Sequence, residues 1–139
     1  MDEYLRNWIK KALDDFKIAK HELSFPAEEI ATGPVCFHSQ QMVEKLLKAY
    51  LIFKETDFER SHDLDYLAGL CSEHDPDFQQ FNFKELSSYA VEVRYPDEFY
   101  VPSVEEAREA FELASKVKEF VFRKLGIKDE DLKNAREKI

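Results

Sequence analysis

Residues 37–53 read FHSQQMVEKLLKAYLIF. No proline or glycine interrupts the stretch, and its apolar residues recur at helical spacing. A helix from about Val35 to Lys54 would carry Cys36, Ser39, Val43, Leu46, Leu47, Tyr50 and Phe53 along one broad buried stripe. His38, Gln41, Lys45 and Lys48 follow one another at steps of 3, 4 and 3, which places them together on another face. Glu44 stands four residues before Lys48, the favourable order for a surface ion pair. A helix with this much apolar surface needs other helices to cover it, so the next question is what flanks it.

Upstream, Leu5, Trp8, Ala12, Phe16, Ala19 and Leu23 recur at steps of 3, 4, 4, 3 and 4, predicting a first helix from Asp2 to about Leu23. Ser24, Phe25 and Pro26 end it. The stretch PAEEIATGP (26–34) reads as a loop, with Gly33 and Pro34 as its strongest break. Downstream, ETDFERSHD (55–63) is the next break, and Ser61 or Asp63 can cap a short third helix through Leu64, Leu67, Ala68 and Leu70. Asp75, Pro76 and Asp77 break the chain again. A fourth helix is predicted over Phe78 to Val93, interrupted near Asn82, and RYPDEFYVPS (94–103) reads as a loop. Ser103 and Glu106 form a capping-box pair for a fifth helix carrying Ala107, Phe111, Ala114, Val117 or Lys118, Val121 and Leu125, with Gly126 as its stop. The expected architecture is all-α: an up-down antiparallel bundle of about five helices, four long and one short. It forms a single domain over 1–139, with its core in 2–125 and a short helix or tail over 127–139.

Composition agrees with this reading. Three glycines and five prolines in 139 residues are too few for a loop-rich all-β fold. The net charge of −9 makes the chain a poor general nucleic-acid binder, since phosphate affinity comes mostly from Lys and Arg. No apolar run approaches the roughly 18 residues that span a bilayer. The start MDEYLRNW has no signal-peptide core. Cys36 and Cys71 read as small buried hydrophobes in a reducing compartment, with a disulfide between them as the lesser alternative, so a cytoplasmic protein is expected. Twelve Phe and six Tyr exceed what one small core needs, which points to a homodimer interface.

Three features carry chemistry. The imidazole, amide and ammonium groups of His38, Gln41, Lys45 and Lys48 offer donors to a phosphate or a base edge, or else form a solvated face whose lysines pair with Glu44 and other acids. His62 and Asp63 can supply two metal ligands, but His21, His38 and His74 show no ligand spacing, so no metal site is read. The plainer alternative is that Asp63 or Ser61 caps the third helix while His62 packs on a neighbour. In Arg94-Tyr95-Pro96, the proline turns Tyr95 out of the helical region. Arg94 is then either a cation at a helix end or a bidentate clamp for phosphate or carboxylate. There is no GxSxG, no catalytic-cysteine context and no glycine-rich phosphate loop, so nothing marks an enzyme or a cofactor.

Taken in order, KKALDDFKIAK (10–20), FHSQQMVEKLLKAYLI, SHDL (61–64), VRYPDEF (93–99) and an alanine-bearing last helix resemble the HEPN domain family, from about Leu5 to Leu125. The resemblance implies a bundle of about five helices that pairs into a homodimer, often in complex with a minimal nucleotidyltransferase, and for which nucleotide binding is proposed. Many relatives are toxin-type, metal-independent ribonucleases with an Arg followed after four to six residues by a His. Here those positions after Arg94 are Phe99, Tyr100 and Val101, and after Arg60 they are Asp65, Tyr66 and Leu67. The expected function is therefore a non-catalytic binding module with His38, Gln41, Lys45, Lys48, His62, Arg94 and Tyr95 as nucleotide contacts. The lysines and Arg94 would take phosphate, and Tyr95 would stack on a base. The alternatives are a divergent ribonuclease using Arg94 with His62 or Tyr100, and a purely structural interaction protein.

Overall fold

Asp2 accepts the backbone N–H of Leu5 at 2.8 Å and so opens the first helix, α1 (Glu3–Leu23). The computed structural model describes residues 1–89, 100–128 and 130–131. In α1 the buried positions are Leu5, Ile9, Ala12, Asp15 and Ala19, while Trp8, Phe16 and Leu23 are half-buried at the edge of that stripe. The true inward face is thus rotated from the one drawn through the large residues, and an aspartate sits in it.

The second helix, α2 (Thr32–Phe53), starts three residues earlier than expected and takes in Gly33 and Pro34. Pro34 falls at the third helical position, where no backbone N–H has an intrahelical partner to lose. The expected break is therefore part of the first turn, preceded by a short 3₁₀ turn at Ala27–Glu29. Glu22 reaches back from the end of α1 to accept the Ala31 N–H at 3.0 Å. Fourteen residues of α2 are buried, on every side, which makes it the central helix. Phe53, expected inside, is 45% exposed in the last turn, with the Lys54 ammonium 5.7 Å from its ring.

α2 ends in a reciprocal pair of backbone bonds, Glu55 N–H to Ile52 O at 3.0 Å and Thr56 N–H to Leu51 O at 2.9 Å. This is the Schellman arrangement, and it puts Glu55 at φ 54 in the left-handed region where glycine is the usual residue. The following connection travels back along α2, and Asp63, not Ser61, caps α3 (Leu64–His74). His62 meets Glu44, Cys71 Sγ meets the Leu47 carbonyl and His74 meets Thr56, so α3 runs in the same sense as α2. A 3₁₀ turn at Pro76–Gln80 and a four-residue α4 (Lys84–Ser87) occupy the described part of the predicted fourth helix, with the interruption at Asn82 where it was expected. A long helix there is replaced by two short ones because Phe78 and Phe83 must both turn into the core.

Ser103 and Glu106 make the predicted capping box of α5 (Val104–Leu125), and Gly126 ends it at φ 69. α5 begins near Cys36 and ends near Tyr50: Tyr89 joins Cys36 to Glu106, while Phe78 joins Tyr50 (4.6 Å between ring centroids) to Phe120 (4.8 Å). α5 therefore also runs with α2, and α1 is antiparallel to both. Phe111, drawn as buried, is half-buried and stacks on Phe16 at 5.4 Å. The chain is all-α with five helices and no strand among the described residues. No helix of the described residues is long and apolar enough to cross a membrane. Cys36 and Cys71 are free and buried, and burial pushes their thiols up to about 11 and about 12.

Glu106 ties the chain before α5 to the helix itself. It accepts from the Tyr100 hydroxyl at 2.6 Å, from the Ser103 N–H at 3.2 Å and from Tyr89 at 3.3 Å. The Tyr100 bond, then the Ser103 N–H, hold its carboxyl below the ordinary 4.5. A carboxyl depressed in the folded state stabilises above its unfolded value, and that contribution is lost as pH falls through the folded one. Unfolding free energies measured across acid pH should thus fall below about pH 4.5 in the wild type and fall less steeply in Glu106→Gln; equal slopes would remove Glu106 from the acid response.

Candidate functional site

The polar groups of α2 do not face water as a solvated stripe. They converge on two buried carboxylates. Asp15 of α1, with a side chain 7% exposed, binds His38 Nδ1 through Oδ1 at 2.8 Å and accepts Lys45 Nζ on Oδ2 at 2.6 Å. Glu44 of α2, 5% exposed, binds His62 Nδ1 through Oε1 at 2.8 Å and accepts Lys48 Nζ on Oε2 at 3.1 Å. Each acid therefore holds one lysine and one histidine.

Gln40 joins Glu44 to the loop before α3 and to Gln41. Its amide donates to Glu44 Oε1 at 3.3 Å and to the His62 carbonyl at 3.4 Å, and its own carbonyl accepts from Gln41 at 2.7 Å. The His62 ring is thus fixed at both its Nδ1 and its backbone, although 68% of its side chain is exposed. Lys48 also lies 5.7 Å above the Trp8 ring of α1, a cation–π contact. The helical steps seen in the sequence explain the assembly: residues three and four apart share a face, and this face packs against α1 and the loop before α3.

Of the sequence-derived site residues, the structure brings His38, Gln41, Lys45, Lys48 and His62 into this one seam. Arg94 and Tyr95 lie outside the described residues. Glu44 and Lys48 are a pair as expected, but a buried one and not a surface one, because α1 and the loop before α3 close over them. Asp63 turns to the start of α3, accepting from the N–H groups of Asp65 and Tyr66, so adjacent His62 and Asp63 serve different partners. Tyr100 and His62, the candidates of the ribonuclease alternative, are likewise bound to different acids, Glu106 and Glu44.

Asp15 and Gln40 were missed as members. Asp15 was legible in principle: it falls three residues after Ala12 and four before Ala19, inside the apolar stripe. An open groove of about 610 Å³ beside Lys48 was also missed, since it joins the first turns of α1 to the loop after α2.

A five-helix all-α fold with acid–lysine–histidine clusters along its central helix now stands beside the comparison with known families. The HEPN domain model matches residues 5–125. The chain belongs to the HEPN domain family. It matches no curated protein and no solved structure.

Removing one partner of a buried pair leaves the other charge uncompensated, at a cost of about 3–5 kcal/mol. Lys48 is 9% exposed, whereas Lys45 and His38 are each 22% exposed and can turn to water. Urea unfolding should therefore show Glu44→Ala losing about 3–5 kcal/mol and Asp15→Ala clearly less. The reverse order would mean that burial of the orphaned lysine does not set the cost.

Proposed function

We propose that this chain is a non-catalytic HEPN module that pairs with a second copy and binds a nucleotide, or a minimal nucleotidyltransferase, through the α2 face and the loop ahead of α3. The observation that carries this reading is the seam itself. Four donor-bearing residues, His38, Lys45, Lys48 and His62, are held by buried acids and a fifth, Gln41, by Gln40, while His38, Gln41, Lys45 and His62 keep partly open edges. Donors fixed in this way lose little freedom when a phosphate or a base edge arrives. Arg94 and Tyr95 join the proposal through the family pattern of the sequence. The absence of a histidine four to six residues after any arginine supports a binding role over RNA cleavage, which needs a positioned acid and base.

A second reading, an interaction protein with no small-molecule site, has its own support. Lys45 and Lys48 already answer the charges of Asp15 and Glu44, so neither is a free phosphate ligand. Thermal unfolding with millimolar nucleotides separates the two. A nucleotide at 100 times its dissociation constant adds about 2.7 kcal/mol to the native state and should raise the midpoint by several degrees. A selective rise that Arg94→Ala reduces supports the nucleotide module. No rise with any nucleotide favours the interaction protein.

A further inference from the structure

The groove beside Lys48 lies between the start of α1, the end of α2 and the loop behind it. Tyr4, Trp8 and Phe58 line it, and Tyr4 is 62% exposed with its ring edge-on to Trp8 at 6.4 Å. Arg60 lines the groove from the loop and has no hydrogen-bond or ion-pair partner among the described residues. Lys48 lines it from α2, its charge shared with Glu44.

Glu55 also lines the groove, and it holds the left-handed position at φ 54. Glycine takes that conformation freely and an L side chain at a cost. The groove thus offers three chemistries side by side: aromatic faces, a carboxylate and an unshared guanidinium.

We propose that this groove is the binding site for a nucleoside monophosphate, an inference that rests on the nucleotide reading above. The base stacks among Tyr4, Trp8 and Phe58, since every base has a face that aromatic side chains accept. The Arg60 guanidinium takes the phosphate as a bidentate donor, with Lys48 behind it. The Glu55 carboxylate accepts the ribose hydroxyls. Only Arg60 brings unshared positive charge among the described groove residues, and Glu55 and Asp57 stand on the same rim, so a triphosphate is repelled where a monophosphate is held.

Trp8 is the one tryptophan of the chain, so its fluorescence reports on this groove directly. The experiment titrates the full chain with adenosine monophosphate, adenosine, adenosine triphosphate and inorganic phosphate, following Trp8 emission and binding heat together. Expected are saturable quenching by the monophosphate, weaker binding of the triphosphate and no quenching by phosphate alone. Arg60→Ala should weaken monophosphate binding about tenfold and leave adenosine unchanged. Glu55→Gly should raise the unfolding midpoint and yet lower affinity, a pairing that a merely structural role does not produce. Binding heat with silent Trp8 emission, or Arg60→Ala and Phe58→Ala binding like wild type, overturns the groove and leaves the nucleotide reading standing. No binding heat with any nucleotide overturns both.

Discussion

Two carboxylates buried along the central helix set the terms for the rest of this structure. Asp15 and Glu44 are almost wholly removed from water, and a carboxylate in that position persists only if it is paired and hydrogen-bonded. Each acquires a lysine and a histidine, and the partners come from different elements. Asp15 fixes α1 to α2 through His38 and Lys45. Glu44 fixes the loop before α3 to α2 through His62, while Lys48 spans from Glu44 to the ring of Trp8. The apolar contacts would tolerate small rotations of α1 about its axis. The ion pairs do not, because a bond of 2.6 or 2.8 Å is lost with a modest shift.

The starts of α2 and α5 are joined by a different device. There Glu106 gathers the Tyr100 and Tyr89 hydroxyls and the start of α5, close to buried Cys36. Past Lys48, toward the end of α2, the rings of Tyr50, Phe78, Phe81 and Phe120 fill the space among α2, α5 and the turn after α3. The loop before α3 is tied to α2 through His62, and Tyr100 and Ser103 are tied to the first turn of α5, so α3 and α5 both start against fixed points and run with α2.

Much of this was legible in the residues. The caps of α5 were read at single-residue precision, because Ser103 with Glu106 and Gly126 act through local geometry that neighbours do not override. The α2 face carrying His38, Gln41, Lys45 and Lys48 was also read, since helical spacing alone determines it. What was not legible was the depth of that face. Periodicity gives relative direction around a helix and says nothing about what lies opposite, so Lys48 read as a surface residue until α1 and the loop closed over it. Asp15 was hidden for the complementary reason: attention to the large side chains Trp8 and Phe16 rotated the inferred stripe away from the true one. The fourth helix shows the same limit. Phe78 and Phe83 stand five residues apart, about 140° around a helix, so one straight helix would not turn both into one core, and two short turns do.

The burial of the lysines also constrains any function the fold can have. In a chain of net charge −9, an anionic ligand must be recognised locally, against an unfavourable overall field. Lys45 and Lys48 look on the sequence like the groups for that task, but their charges are already balanced inside the protein. Beside them among the described residues lie the outward edge of the seam, where His62 is held by its Nδ1 and its carbonyl with most of its side chain in water, and the adjoining groove with Arg60 and three aromatic walls. The buried acids thereby have a second consequence. By committing the lysines to the fold, they leave the groups of the proposed groove free of any part in holding the helices together, so on that proposal a substitution at Arg60 weakens binding without the cost to stability that a substitution at Lys48 must carry.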